Sequence, residues 1–337
     1  MIIILKSGST QTEAQDILDH IEGLGLRPLY MPGTERIVIG AIGDERVLES
    51  LHLENYPQVE RVTPILAPYK LVSREIHPHD TIVRLGKGSV GGDQFAVIAG
   101  PCAVESYEQM RETAEAVKSA GATALRGGAF KPRTSPYSFQ GLGAEGLKIL
   151  ETIGRELQIE VVTEVVDIAD VEAVAQHADA LQVGARNMQN FRLLQAVAKC
   201  GKPVVLKRGI AATIQDLLLA AEYILDGGNA DVILCERGIK TFETATRNTL
   251  DLNAVPYIKQ RSHLPVIVDP SHGSGLRDLV APMSRAAVAC GADGIMVEVH
   301  RDPAHALSDG QQSLYPAEFA KLMRELRPFV EASGKSL

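Results

Sequence analysis

Short runs of apolar residues alternate with longer mixed segments over about 240 residues in the last part of the chain. In order, the runs are FAVIAG, ATALRGG, IEVVTE, ALQVG, PVVLKRG, VILCERG, LPVIVDP and GIMVEVH. Nearly continuous apolar strands separated by helical segments are typical of a parallel sheet covered by helices on both faces. Eight such repeats match the (β/α)8 TIM barrel, so the pattern predicts an α/β barrel in this region.

A different pattern occupies the first seventy residues. It predicts a strand at 2–5, a helix from Gln11 to Leu24, strands RPLYM and RIVIGAIG around Pro32, a helix from Glu45 to Leu53, and a strand in VERVTPIL. This βαββαβ order is typical of a small ferredoxin-like domain.

Proline and glycine residues interrupt both patterns between these regions, at Pro68, at Pro78 and in GKGSVGG. Such residues favour turns and loops over regular elements. We therefore expect three parts: a ferredoxin-like domain at 1–66, a linker with a hairpin at 67–94, and a catalytic barrel at 95–337.

Composition excludes several classes of protein. Hydrophobic residues make up 45% and charged residues 23% of the 337, which is a globular balance. The net charge is −8, and the first seventy residues carry 6 basic against 10 acidic residues, so neither nucleic acid nor a membrane is an expected partner. The N-terminal apolar run Met1 to Leu5 is far shorter than the ~18 residues of a membrane span. Four cysteines without CxxC spacing favour the reducing cytoplasm.

Basic residues follow several of the apolar runs, where the carboxyl ends of barrel strands hold active sites. The seven cations at these positions are Arg126, Lys131, Arg133, Arg186, Lys207, Arg208 and Arg237. Charges scattered over a surface should be indifferent to strand direction, so the clustering predicts a pocket for polyanions. Because a phosphate carries roughly −1.5 to −2 near neutral pH, seven cations suit two phosphorylated ligands better than one.

A second group of residues after the strands has metal-binding character. It consists of Cys102, His272, Glu298 and Asp309, from the first loop and the last two repeats, which become neighbours when a barrel closes. One thiolate, one imidazole and two carboxylates favour a divalent transition metal such as Mn, Co, Fe or Zn. Without metal, we expect Cys102 to be an accessible, oxidation-prone thiol. Cys235 and Cys290 lie in apolar runs and are expected to be packing residues.

Several longer motifs carry a family resemblance. They are GPCAVES (100–106), LRGGAFKPRTSPYSFQGLG (125–143), QVGARNMQNF (182–191), LKRG (206–209), ILCERG (233–238), DPSHGSG (269–275), MVEVHRDP (296–303) and ALSDGQQSL (306–314). With these motifs the chain resembles the 3-deoxy-D-arabino-heptulosonate 7-phosphate (DAHP) synthases. It is most similar to the subgroup in which a ferredoxin-like regulatory domain precedes the barrel.

The resemblance implies condensation of phosphoenolpyruvate with erythrose 4-phosphate and release of phosphate, the first step of the shikimate pathway. Carried over by motif, the substrate-binding residues are Arg126, Lys131 and Lys207 for the carboxylate end of phosphoenolpyruvate, Arg186 and Arg237 for its phosphate, and Arg133 and Thr134 for the phosphate of erythrose 4-phosphate. The metal ligands would be the four residues named above, and His272 also counts among the catalytic residues.

The same resemblance suggests roles in proton transfer. Lys131 is the candidate donor to the new alkoxide, while Glu164 and Lys207 would position the attacking water. For the N-terminal domain it implies feedback inhibition by tyrosine or phenylalanine in a homotetramer. Leu29, Tyr30 and Met31 are candidates for an apolar effector pocket there. A domain that only supports assembly is the alternative.

Three other functions stay open at this point. One is the related condensation with arabinose 5-phosphate to an octulosonate, although that synthase carries a KANR-type stretch where this chain has KPRT (131–134). Another is a Schiff-base aldolase acting through Lys207 on the fifth strand. The third is a non-catalytic amino-acid sensor, which would leave the residues after the strands without a purpose.

Overall fold

The computed structural model describes residues 1–33, 36–43, 47, 52–63, 68–132 and 135–337. The chain divides into two compact units, Met1–Pro78 and His79–Leu337. No helix in the described part of the chain has the length and apolar character needed to cross a membrane.

The first unit is a four-stranded antiparallel sheet with one long described helix. Its elements are β1 (Ile2–Leu5), α1 (Gln11–Gly23), β2 (Arg27–Pro32), β3 (Ile37–Ile42), a 3-10 helix (Leu53–Asn55) and β4 (Val59–Thr63). The strand order is β2-β3-β1-β4, with β1 paired to both β3 and β4. This confirms the predicted ferredoxin-like fold. The helix predicted at Glu45 to Leu53 falls mostly outside the described residues.

The alternation of β2 corrects the expectation for the effector pocket. Leu29 and Met31 lie on one face, where a Cβ at Gly40 would approach Leu29 Cβ at 3.2 Å and Met31 Cε at 3.4 Å. Tyr30 points to the opposite face and is 37% exposed. Because successive strand side chains alternate in direction, the three residues do not line one pocket.

The second unit is a closed barrel of eight parallel strands. They are β7 (Ala96–Gly100), β8 (Ala124–Arg126), β9 (Glu160–Val165), β10 (Ala180–Val183), β11 (Val204–Lys207), β12 (Val232–Glu236), β13 (Val266–Val268) and β14 (Gly294–Glu298). Each of the eight predicted runs forms one strand, so the barrel prediction is confirmed. The final pairing, of β14 with β7, closes the ring.

Helices surround this barrel. They are α2 (Tyr107–Ser119), α3 (Ala144–Leu157), α4 (Val171–His177), α5 (Phe191–Ala198), α6 (Ile214–Asp226), α7 (Ala254–Arg261), α8 (Pro270–Ser274), α9 (Arg277–Ala289) and α10 (Pro316–Ala332). Local sequence sets several helix starts: Ser106 accepts from the Gln109 amide, and Thr213 forms a capping box with Asp216.

A hairpin of β5 (Val83–Leu85) and β6 (Gly88–Val90) belongs to the barrel unit. Its residues Val83, Leu85 and Val90 are at most 1% exposed and cluster with the barrel interior, which includes Ile98 and Cys235. The hairpin is therefore part of the barrel core and not an exposed connection.

Gly100, the last residue of β7, permits a close approach at the carboxyl end of the barrel. Its φ is +154°, and a Cβ there would lie 2.1 Å from the carbonyl oxygen of Arg126. Glycine is required because any side chain would separate β7 from the segment that carries Arg126.

At the opposite end of the barrel, Asp293 joins several segments. Its carboxylate is 1% exposed and accepts from Lys259 Nζ (2.8 Å to each oxygen), Lys335 Nζ (2.9 Å) and the Val266 amide (2.9 Å). It thereby ties α7, the start of β13 and the C-terminal residues to one buried charge.

We predict that Asp293→Ala destabilises the barrel by about 3 kcal/mol, because it leaves two ammonium groups without their buried carboxylate. For a unit of this size that corresponds to a fall in Tm of roughly 6–12 °C, measurable by scanning calorimetry at fixed scan rate. Glu331→Ala, at an exposed position on α10, is the matched control and should stay within about 0.5 kcal/mol. Equal Tm values for both variants would refute this role.

Candidate active site

A cavity of about 350 Å³ opens at the carboxyl ends of the barrel strands, within the size range of small-molecule sites. Seven cationic side chains line it: Arg126, Lys131, Arg186, Lys207, Arg237, Lys240 and Arg247. Its other polar side chains are Cys102, Glu164, Gln182, Asn248, His272 and Asp309. The barrel thus brings residues from nearly every strand end to one place.

Five of the seven cations named from the sequence lie in this cavity, and Arg208 does not. Arg208 instead donates to Glu236 Oε2 at 2.8 Å and Asp251 Oδ2 at 2.9 Å, in a buried ion-pair network. Residues 207 and 208 point in opposite directions, so only the first reaches the cavity. The predicted phosphate residues Arg133 and Thr134 lie outside the described part of the chain.

Lys240 and Arg247 were missed because they lie within the long segment between β12 and α7, away from any strand end. In this segment Lys240 Nζ donates to the Arg247 carbonyl at 2.6 Å, and Asn248 Nδ2 donates to the His272 carbonyl at 2.8 Å. The only sequence signal for them is two basic residues in the connection after the ERG motif.

The cavity cations fall into two groups. Arg126, Lys207 and Arg247 form ion pairs with Glu298 (2.6 Å), Asp269 (2.5 Å) and Asp309 (3.3 Å). The remaining four have no carboxylate within ion-pair distance among the described residues: Lys131, Arg186, Arg237 and Lys240. These four leave a positive excess in the cavity, which suits anionic ligands.

Arg237 is the clearest member of the second group. It is 6% exposed, and its guanidinium donates only to the Gly238 carbonyl oxygen at 3.3 Å in the described structure. Burial lowers the pKa of Arg237, and the charge of Asp269 offsets this in part. A buried guanidinium with so little compensation is stabilised when an anion binds to it.

Asp269 connects two predicted functional residues. Its Oδ2 accepts from Lys207 Nζ at 2.5 Å and from His272 Nδ1 at 2.7 Å, while its Oδ1 caps α8 through the His272 amide. Burial alone would raise the pKa of Asp269, but His272 and Lys207 outweigh burial and hold the pKa well below its ordinary value. The motif DPSH places Asp269 directly after the seventh strand and three residues before His272, and this spacing is the sequence signal for its role.

His272 presents its other nitrogen to the cavity. Burial lowers the pKa of His272, which favours the neutral ring. Since Nδ1 donates to Asp269, the Nε2 lone pair is left free to act as a ligand. Nε2 lies 3.4 Å from Glu298 Oε1 and 3.9 Å from Asp309 Oδ2.

Three of the four residues predicted as metal ligands meet here, and the fourth lies beside them. Donor atoms of Cys102, Glu298 and Asp309 all lie within 4.8 Å of one another. His272 is not part of that group, but its Nε2 faces both carboxylates. A thiol, an imidazole and two carboxylates around one point fit a divalent transition ion, and not a closed structural zinc site of four cysteines.

Asp309 occupies a strained backbone position. Its φ is +53°, in the left-handed region, at the start of the 3-10 helix Gly310–Gln312. Glu105 holds the preceding residues by accepting from the Leu307 amide at 2.8 Å and lying 3.3 Å from His300 Nε2. Aspartate tolerates this conformation better than most residues, which is consistent with strain retained at a functional site.

Lys131 and Glu164 both line the cavity, and each lies beside a glycine. Glu164 Oε2 accepts from Gln182 Nε2 at 3.0 Å, and a Cβ at Gly184 would approach Glu164 Oε1 at 2.1 Å. A Cβ at Gly128 would lie 2.6 Å from Lys131 Nζ. Both side chains therefore occupy space that a neighbouring glycine provides.

A closed eight-stranded barrel with a thiol, an imidazole, carboxylates and several cations at the carboxyl ends of its strands defines a class: a barrel enzyme with its active site at that end. Residues 77–332 match the DAHP synthetase I family, and residues 1–67 match the DAHP synthase ferredoxin-like domain. The chain belongs to the DAHP synthetase I family, which confirms the resemblance drawn from the motifs.

Individual relatives agree with this assignment. Phospho-2-dehydro-3-deoxyheptonate aldolase of Thermotoga maritima is 52% identical over 334 residues, covering 99% of both chains. The crystal structure of that DAHP synthase covers 99% of this chain and 98% of its own, with a TM-score of 0.80 at 51% identity. A 2-dehydro-3-deoxyphosphooctonate aldolase of Magnetococcus marinus is 36% identical over 252 residues, covering 69% of this chain and 86% of its own.

The Cys102 thiol differs from the expectation of an accessible, reactive group. It is 4% exposed, and burial, followed by the charge of Glu298, raises its pKa to about 12. In metal-free protein near pH 7 we therefore predict alkylation of Cys102 by iodoacetamide at least about 10-fold slower than that of half-buried Cys200.

Peptide mapping by mass spectrometry measures both rates, and labelling in urea checks that every cysteine is detectable. Labelling of Cys102 should rise with each pH step up to about pH 10 without a plateau, because the thiolate fraction is still increasing there. A plateau near pH 8 would contradict the raised pKa.

Proposed function

We propose that this chain condenses phosphoenolpyruvate with erythrose 4-phosphate and water to DAHP and phosphate, the entry to the shikimate pathway. The observation that carries the proposal is the group of four cavity cations that have no carboxylate partner among the described residues. They line the same cavity as Cys102, His272 and Asp309, which together with Glu298 form what we call the Cys102 cluster. Membership of the family and the 52% identical relative named as a heptonate aldolase support the same reaction.

The charge of the cavity suits this pair of substrates. Two phosphates at roughly −1.5 to −2 each, together with one carboxylate, are more negative charge than a single cation or arginine fork compensates. Lys131, Arg186, Arg237 and Lys240 carry positive charge with no described carboxylate within ion-pair distance. A single monophosphate ligand would leave part of this excess without a function.

The motifs and the cavity geometry together support specific contacts between the cavity residues and phosphoenolpyruvate. Arg126, Lys131 and Lys207 would hold the carboxylate end of phosphoenolpyruvate, and Arg186 and Arg237 its phosphate. Arg186 Nη1 is fixed by the Pro132 carbonyl at 2.9 Å, which leaves the rest of its guanidinium fork for an anion. The assignment of Arg133 and Thr134 to the phosphate of erythrose 4-phosphate stays a prediction from the motif.

In the proposed reaction, C3 of phosphoenolpyruvate attacks the aldehyde carbon while water adds at C2, and the resulting tetrahedral bisphosphate loses phosphate by C–O cleavage. Lys131 donates a proton to the new alkoxide. Glu164 and Lys207 hold the water, and Asp269 fixes the Lys207 amine at 2.5 Å. A divalent transition metal (Mn, Co, Fe or Zn) held by Cys102, His272, Glu298 and Asp309 would supply a Lewis acid that polarises the aldehyde.

A Schiff-base mechanism through Lys207 is disfavoured by its environment. Lysines that form imines are activated by an apolar pocket or by a neighbouring cation. The amine of Lys207 is instead engaged in an ion pair with the buried carboxylate of Asp269, 2.5 Å away.

For the N-terminal domain we propose regulation by an aromatic amino acid, tyrosine or phenylalanine, in a cytoplasmic homotetramer. The match of residues 1–67 to the DAHP synthase ferredoxin-like domain supports a dedicated module. A truncated form of the Thermotoga synthase aligns with 80% of this chain at a TM-score of 0.75, which supports a barrel that folds without the module.

We predict that phosphate release from phosphoenolpyruvate requires a four-carbon aldose phosphate and a divalent metal. Erythrose 4-phosphate should give turnover and arabinose 5-phosphate little, while EDTA should abolish the rate and Mn or Co restore it. A colorimetric phosphate assay measures each condition. Preference for the five-carbon substrate would assign the octulosonate reaction instead. Full activity in EDTA would exclude a requirement for a divalent metal.

We predict that Lys131→Met lowers kcat at least about 100-fold, because the alkoxide loses its proton donor. Metal content, measured by elemental analysis, should stay at the wild-type level. Lys148→Met on the exposed face of α3 is the matched control and should keep normal turnover. A near-normal kcat for Lys131→Met would exclude Lys131 as the donor.

We predict that deletion of residues 1–65 removes inhibition by tyrosine or phenylalanine while turnover persists. Initial rates with each aromatic amino acid, for full-length and truncated protein, are the measurement. Inhibition that survives the deletion unchanged would show that the effector binds elsewhere, and its absence from the full-length enzyme would leave assembly as the role of the domain.

A further inference from the structure

Gln312 lies behind the candidate metal ligands and contacts one of them. It is fully buried, and its Nε2 donates to Glu298 Oε2 at 2.7 Å. Its Oε1 accepts from Arg247 Nη1 at 2.8 Å. Because Glu298 can only accept and Arg247 can only donate, a single orientation of the amide satisfies both contacts. Gln312 is thus fixed between a carboxylate and a guanidinium.

Arg247 contacts the same group from the other side. The nitrogen that donates to Gln312 also lies 3.3 Å from Asp309 Oδ1, so one guanidinium reaches both carboxylates, one directly and one through the amide. The base of the Arg247 side chain lies over Gly275, where a Cβ would come within 2.4 Å of Arg247 Cβ. Its amide donates to the Ser274 carbonyl at 2.9 Å.

The segment that carries Gln312 is itself anchored. Arg277 donates from Nε to the Ser313 carbonyl at 2.6 Å and from Nη2 to the Gly310 carbonyl at 3.0 Å. The Leu314 amide donates to the Glu298 carbonyl at 2.8 Å. These hydrogen bonds fix the backbone around Gln312, so its side chain has little freedom to follow the Glu298 carboxylate if that group moves.

These contacts leave Glu298 with little rotational freedom. Arg126 Nη1 holds Oε1 at 2.6 Å and Gln312 holds Oε2 at 2.7 Å. A carboxylate has about four lone-pair directions, so two hydrogen bonds still leave it able to ligate a cation. Groups behind metal ligands orient them in this way, and their loss commonly weakens metal affinity.

We propose that Gln312 and Arg247 are positioning residues for the metal site, an amide relay that sets Glu298 and Asp309 in the geometry for ligation. This inference rests on the proposed function, because it takes the Cys102 cluster to hold a divalent transition metal. Gln312 is not among the residues that line the cavity, and Arg247, which does line it, acts here through its contacts with Asp309 and Gln312. Loss of the relay should therefore weaken metal binding itself, which is measured without substrate.

The test titrates Co²⁺ into full-length metal-free protein. Calorimetry gives the dissociation constant, and the thiolate-to-cobalt absorption band shows that Cys102 is bound. Gln312→Met keeps the size and neutral charge of the side chain but removes both hydrogen bonds, and it should raise the dissociation constant about 10- to 100-fold. A constant within about twofold of the wild-type value would overturn the proposal.

Arg247→Met separates positioning from simple electrostatics. Removal of a nearby cation should by itself tighten binding of Co²⁺, whereas loss of the relay should weaken it, with Arg247→Lys retaining more affinity than Arg247→Met. In the double variant with Gln312→Met, the loss should be smaller than the product of the two single losses, because both residues act through one contact. Tighter binding by Arg247→Met, or fully multiplicative losses, would overturn the relay.

Folding is checked with the thermal midpoints of the metal-free variants. Arg285→Met is the matched control, since Arg285 is similarly exposed (31% against 35%) and pairs with Glu325 at 2.9 Å between α9 and α10. It should leave Co²⁺ affinity unchanged. If Gln312→Met does not fold, the Arg247 variants carry the test. Wild-type protein that bound no Co²⁺ would overturn the proposed metal site itself, whereas unchanged affinity in the variants would overturn the relay alone.

Discussion

Pairing between the first and last barrel strands is the constraint on which the candidate site depends. The ladder of β14 and β7 runs from Gly294 beside Ala96 to Glu298 beside Gly100. It brings Cys102, just after β7, within 3.2 Å of Asp309, although 207 positions separate them along the chain. Every other feature of the cluster presupposes this closure, because Glu298 itself ends β14. Gly100 allows the adjoining approach of the Arg126 backbone.

Buried charges in the barrel are compensated by opposite charges close to them. At the mouth of the barrel, Arg126, Lys207 and Arg247 each face a carboxylate that belongs to the cluster or supports it. Removing one partner from such a pair is costly, since an uncompensated charge would stay in a medium of low dielectric. Four cations are the exception, because no described carboxylate lies within ion-pair distance of them: Lys131, Arg186, Arg237 and Lys240. An anionic substrate would complete the same pattern of compensation.

Much of this arrangement could be predicted from the sequence because the barrel has a simple rule. Each of the eight apolar runs forms one strand, and residues just after the strands point to a common mouth. Cys102, His272, Glu298 and Asp309 could therefore be grouped from the sequence alone. The rule does not say which way a given side chain points. Arg208 follows Lys207, but its side chain points away from the cavity. In the N-terminal unit, likewise, Tyr30 lies on the opposite face of its strand from Leu29. The rule also does not reach residues inside long connections. Lys240, Arg247 and Gln312 enter the site through the fold of loops, and no periodicity marks their direction.

The central claim, condensation of two phosphorylated substrates with C–O cleavage, is tested most directly by following the bridging oxygen of phosphoenolpyruvate. The enzyme is supplied with erythrose 4-phosphate and with phosphoenolpyruvate that carries heavy oxygen between C2 and phosphorus, and the products are examined by phosphorus NMR and mass spectrometry. The account predicts one heptulosonate phosphate for each phosphate released, with the heavy oxygen in the phosphate. Heavy oxygen retained in the sugar product, or no phosphate released with this aldehyde, would contradict it.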